Sequence, residues 1–106
     1  MESIVTTYTK YCAFCGKPTE AEHHLIFGVG MRELAEKDGL KLPVCNNCHN
    51  MGQKLVRIHD NSMAEKLSKM LGQLAWEKEY YKTLAGEDAG DVAREAFQKR
   101  YKRSYL

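Results

Sequence analysis

No apolar run in this chain approaches the roughly 20 residues that a membrane-spanning helix needs. The first ten residues, Met1 to Lys10, carry no apolar stretch of the kind a secretory leader uses. There are no internal repeats beyond two short cysteine hooks and no low-complexity tract. Net charge is nearly absent, at a formal +2, so overall charge points to no class of partner. Cysteine is scarce too. There are four, and every one lies in a Cys-x-x-Cys pair, Cys12–Cys15 and Cys45–Cys48. That spacing, with no leader before it, argues against disulfides and for reduced thiols in a cytoplasmic protein.

What is present is a metal signature. A Cys-x-x-Cys hook puts two sulfurs on one tight turn, and two hooks complete a tetrahedron around one zinc ion. With 106 residues the chain is long enough for one small domain and a modest core, and a structural ion adds directly to its folding free energy. A four-thiolate ion has no open position, so Cys12, Cys15, Cys45 and Cys48 are expected to be structural. The chemistry falls to the histidines. Three of the four, His23, His24 and His49, lie in or between the hooks. On an extended segment His23 and His24 face opposite ways, one toward a metal shared with His49 and the other toward a water. A neutral imidazole takes a proton near pH 7, and a divalent ion neutralises a phosphate oxygen, so the set suits phosphodiester hydrolysis. His59 lies ten residues past His49, off its face on a continuous helix, and is expected to be structural or exposed. Arg32, Lys54 and Arg57 are candidate phosphate contacts whose default is a solvated surface.

The expected elements follow the same logic. Ile4 to Thr9 is a β-prone run. A short strand is expected over His23–Phe27, a helix over Met31–Lys37 stopped by Asp38-Gly39, and a strand over Leu40–Val44. A helix from about Asn47 would bury Met51, Leu55, Val56 and Ile58. Ser62-x-x-Glu65 reads as a capping box for a helix over about 63–83. Met63, Leu67, Met70, Leu71, Leu74 and Tyr81 would face inward, with Trp76 stacked on Tyr80. The stretch from Ala85 to Gly90 reads as a linker. A last helix, capped by Asp88 or Asp91, would bury Val92, Ala93, Ala96, Phe97 and Tyr101. Bases outnumber acids 9 to 7 over residues 61–106, and Lys99 to Tyr105 holds four bases and no acid. Arg100, Lys102 and Arg103 are therefore candidate nucleic-acid contacts.

Taken together, Cys12-x-x-Cys15-Gly16, Glu22-His23-His24-Leu25-Ile26 and Leu40-Lys41-Leu42-Pro43-Val44-Cys45-x-x-Cys48-His49-Asn50 resemble an HNH-type (ββα-metal, His-Me finger) endonuclease domain. The variety is the one with a four-cysteine zinc, common in bacterial and bacteriophage proteins, and the likeness spans about residues 10–60. It implies a zinc-stapled ββα-metal unit over 1–60, and the helical spacing beyond it adds a C-terminal helical hairpin over 61–106, together a small α+β domain. It implies His24 as general base, with His23 and His49 as ligands of a catalytic ion such as Mg2+, Mn2+ or Ni2+. DNA is the implied substrate. The motif's central Asn is missing from its usual place, where the chain reads Lys37-Asp38-Gly39-Leu40. Asp38 is the nearest polar substitute, as a metal ligand or as a partner of the loop that orients His24. The competing expectation is an inactive zinc-stapled module that binds nucleic acid or a host protein. A homodimer through the C-terminal helices is a further expectation.

Overall fold

The computed structural model describes residues 1–84, 86 and 89–106. Its elements run β1 (Ala21–His24), α1 (Met31–Asp38), β2 (Lys41–Val44), one wide π-helical turn (Asn47–Met51), α2 (Ser62–Tyr81) and α3 (Ala89–Tyr101). No helix among the described residues is long and apolar enough to cross a membrane. The result is a small α+β structure with a two-stranded sheet and a cysteine cluster.

β1 and β2 pair antiparallel, with Ala21 opposite Val44, His23 opposite Leu42 and His24 opposite Lys41. The connection between them is α1, which ends at Gly39 in the left-handed region (φ 70°). Only glycine enters that region cheaply, and the Gly39 N–H caps the helix by donating to the Ala35 and Glu36 carbonyls. The core collects Leu25, Ile26, Ala35, Leu40 and Leu42 from this unit with Phe97 and Tyr101 from α3. Phe97 and Tyr101 stack at 4.6 Å, and Trp76 stacks on Tyr80 at 5.0 Å as its spacing predicts.

Several expectations are overturned. The β-prone run Ile4–Thr9 forms no strand. Ser3 folds the segment instead: its Oγ accepts from the Val5 and Thr6 N–H groups and donates to the Lys41 carbonyl.

The helix expected after Asn47 lasts one turn, and Met51, Leu55 and Val56 are exposed, leaving only Ile58 buried. Gly52 ends it by donating to the Asn47 carbonyl, and a Cβ at Gly52 would overlap that same oxygen.

The face of α2 is also inverted. Its buried residues are Ser68, Gly72, Gln73 and Glu77, while Met63, Leu67, Leu71, Leu74 and Tyr81 are exposed. The cause is close approach. A Cβ at Gly72 would sit 2.8 Å from Ile26 Cγ1 and 3.0 Å from Leu25 Cβ, so the helix presses its small and polar stripe against the loop after β1.

At its start α2 is capped by Asn61, whose Oδ1 accepts from the Ala64 N–H, one residue before the expected cap. Glu65 still reaches back, accepting from the Asp60 N–H. In α3, Ala93, Phe97 and Tyr101 are buried as expected, but Val92 is exposed. Asp91 lies in the first turn, while Asp88 falls outside the described residues.

Candidate metal centres and the histidine cleft

Cys12, Cys15, Cys45 and Cys48 converge so that their four sulfurs lie within 4.8 Å of one another. The backbone makes this convergence. In the first hook the Gly16 N–H donates to the Cys12 carbonyl with Gly16 at φ 78°, and the Phe14 N–H points at Cys12 Sγ (3.4 Å). In the second, the Cys48 N–H points at Cys45 Sγ (3.4 Å). Burial raises the Cys12 thiol, but backbone N–H groups near Cys45, Phe14 and Cys15 outweigh it and bring it down to about 6. Burial, then the neighbouring cysteines, pushes Cys48 far the other way. Four sulfurs this close oppose one another's ionisation, and a cation at their centre removes the conflict. The donor set and its N–H···S support fit a structural zinc ion.

The second cluster holds His23, His49 and His59, each offering a ring nitrogen, all within 4.8 Å of one another. Their ring centroids are 4.7–5.2 Å apart, and Nε2 of His59 lies 3.1 Å from Nε2 of His49. His23 comes from β1 and His49 from the π-turn. His59 was not expected here. It arrives because the chain, turned at Gly52, runs back along the second hook. The Ile58 N–H donates to the Cys48 carbonyl (2.9 Å) and the His59 N–H to the His49 carbonyl (3.1 Å). Arg57 holds this return, donating to the Gly52 and His59 carbonyls and to Asp60, so its guanidinium serves the loop. The Gly-x4-Arg-x-His pattern was the available signal. Assuming one continuous helix concealed it.

The state of His23 follows from its partners. Ser68 Oγ spends its one hydrogen on the Leu25 carbonyl (2.7 Å), so toward His23 it can only accept. His23 Nε2, 2.8 Å away, must therefore carry the proton, and Nδ1 is left with a free lone pair. That Nδ1 is buried and has no hydrogen-bond partner. A buried acceptor left bare costs about 1–3 kcal/mol, a debt a bound cation would cancel. Burial, helped by the charges His59, His49 and His24 would bear, drops the ring to about 3, which keeps it neutral. Burial also lowers His49. Glu65 Oε2 lies 3.8 Å from His59 Nδ1, a carboxylate behind the ring.

His24 faces the other way, as its neighbour on a strand must. Nε2 donates to Glu36 Oε1 (2.8 Å), and Arg32 Nε approaches Nδ1 at 3.4 Å. Glu36 is gripped again by Lys41 Nζ (3.0 Å), and Lys41 also binds Glu22. The His24 and Lys41 hydrogen bonds hold the Glu36 carboxyl down at about 2. His24 and Arg32 still meet the histidine cluster, because both line a cleft of about 310 Å³ with His49, His59, Phe27 and Asn50. A larger hollow of about 790 Å³ lies beside the N-terminal segment, but its threonines and the paired Glu22 and Lys41 form no reactive group.

Asp38 joins neither cluster. Its carboxylate accepts from Arg100 Nε and Nη2 (2.6 Å each) and from the Tyr101 hydroxyl (2.7 Å), tying α1 to α3. That pairing also occupies Arg100, whereas Lys102 and Arg103 are exposed. The acid beside His24 is Glu36, two residues earlier. Searches of protein-family profiles, curated proteins and solved structures find nothing that matches this chain.

Proposed function

We propose that the protein is a metal-dependent DNA endonuclease of the HNH type, working in the cleft between His24 and the histidine cluster. The carrying observation is the bare, buried Nδ1 of His23 beside His49 and His59. Zinc on the four cysteines joins the first hook to the second and takes no part in the chemistry. His23, His49 and His59 are the residues that would hold the second ion. Three imidazole ligands favour Ni2+ or Zn2+ over Mg2+ and Mn2+, which suit oxygen ligands. A divalent ion there supplies charge neutralisation at the scissile phosphate and at the departing 3′ oxygen.

The chain's own groups do the rest. Arg32, exposed at the cleft wall, holds a non-bridging phosphate oxygen. As phosphate draws the guanidinium away, His24 Nδ1 is released to accept a proton from water. The water oxygen forms its bond to phosphorus as the bond to the 3′ oxygen breaks. Glu36 accepts from Nε2–H and keeps the lone pair on Nδ1, the orientation that expectation had given to Asp38.

The test is plasmid cleavage by zinc-loaded protein with added Ni2+, Mn2+ or Mg2+, beside His24→Ala. Wild type is expected to cut at least 100-fold faster than the variant, and equal rates across all metals overturn the reading. One observation favours a second reading, a zinc-stapled binding module without catalysis: both nitrogens of His24 are already engaged. Equal rates together with retained DNA binding would support it.

A further inference from the structure

The cleft does not end at the histidines. Phe27 packs against His59 at 4.8 Å between centroids. Lys69 Nζ, from α2, lies 4.6 Å from the Phe27 ring and 5.9 Å from the ring of Tyr105. Arg103, from the segment after α3, sits with Cζ 4.9 Å from the same Tyr105 ring. A histidine, an aromatic, a cation, an aromatic and a cation therefore follow one another from the cleft toward the C-terminal segment.

Two features set this apart from an ordinary charged surface. The segment bearing Arg103 and Tyr105 is clamped. Gln73, wholly buried on α2, accepts from the Tyr105 N–H (2.6 Å) and donates to Ser104 Oγ (3.0 Å). Like charges are also gathered on one ring without relief. Among the described residues neither Lys69 nor Arg103 pairs with a carboxylate, whereas Arg57, Arg94 and Arg100 each do. Fixing two cations around one tyrosine costs repulsion and side-chain entropy, and among the described residues no carboxylate offsets it. An anion that tracks past both would. Bases interleaved with aromatics suit a nucleic-acid backbone, the bases taking phosphates and the rings taking sugar or base faces.

We propose that Lys69 and Arg103, seated on Phe27 and Tyr105, form a shelf for the sugar–phosphate backbone of DNA leading into the histidine cleft. This rests on the reading of DNA as substrate and adds that the helical half supplies part of the grip.

The test is fluorescence anisotropy of a labelled DNA duplex with full-length, zinc-loaded protein and no second metal, so nothing is cut. Binding is followed from 50 to 200 mM KCl for wild type, Lys69→Met, Arg103→Gln and the double variant, with Lys17→Ala at the first hook as control. Lys69→Met keeps the packing on Phe27 while removing the charge. Each single variant is expected to weaken binding several-fold and to lower the slope of log K against log salt by about one, and the double by about two. Unchanged slopes in both variants, or a loss no greater than in Lys17→Ala, overturn the shelf even if the protein cuts DNA. Lowered slopes without cleavage under any metal support the shelf and remove the nuclease reading. Absence of wild-type binding removes both.

Discussion

The two candidate metal centres are built in opposite ways. The cysteine cluster comes from two local turns, each closed by its own backbone hydrogen bonds. The histidine cluster draws on a strand, a π-turn and a returning loop, with Ser68 of α2 setting the protonation of one ring. Each hook of the first is a local device holding two of the four sulfurs, and the ion joins the two hooks. The second is a tertiary device that exists only when distant segments are seated. Loss of the first should therefore remove both, and loss of the second should leave the first intact.

The largest effect expected is on the cysteines. Cys48→Ser, or a strong chelator, should abolish zinc binding and cooperative unfolding of the N-terminal half, since structural zinc contributes on the order of 10 kcal/mol in small domains. Metal analysis with a circular-dichroism melt checks it. A variant that melts like wild type would mean the sulfurs carry no ion.

Next comes Gly52→Ala. The added Cβ meets the Asn47 carbonyl, so the return of His59 to His49 should fail. Zinc content should stay at one per chain while Ni2+ or Co2+ binding at the histidines falls more than 100-fold by calorimetry.

Ser68→Ala is milder. It frees the Leu25 carbonyl and releases the His23 tautomer, with an expected 10–100-fold loss of second-ion affinity and about 1 kcal/mol of stability. Gly72→Ala should cost about 1–3 kcal/mol by pushing α2 off Leu25 and Ile26, despite alanine's better helix propensity. Denaturant midpoints measure both.

A separate effect is on pH. In the protein without a second ion, His23 is held neutral down to about 3 against an ordinary 6.5. The unfolded chain binds a proton there that the folded chain refuses, so the contribution is full above pH 6.5 and drains away as pH falls toward 3. His23→Gln should flatten that part of the pH–stability curve relative to wild type.

The same contrast explains what could be read from the residues alone. The hooks were legible because Cys-x-x-Cys and Gly16 state a turn in five residues. α1 and β2 were legible from periodicity and the Asp38-Gly39 stop. His59 was not, because its place depends on Gly52 making a reversal, and a mid-chain glycine does not announce whether it breaks a helix. The buried face of α2 was misread because hydrophobic spacing assumes that apolar residues pack inward. Close packing at Gly72 selected the small and polar stripe, and the leucines were left outside. Glu36 was passed over for Asp38 because register across β1 and β2, which sets His24 beside Lys41, is not visible from spacing.

Ser68 carries a consequence for how the protein can be divided. A fragment cut near residue 60 would keep all four thiols and every histidine, and on composition it would look whole. Yet the hydroxyl that commits His23 to one of its two chemical forms would be gone. Such a truncation should hold its zinc as an inert bead and grip a second cation poorly, the missing instruction being a single oxygen lone pair offered from elsewhere in the chain.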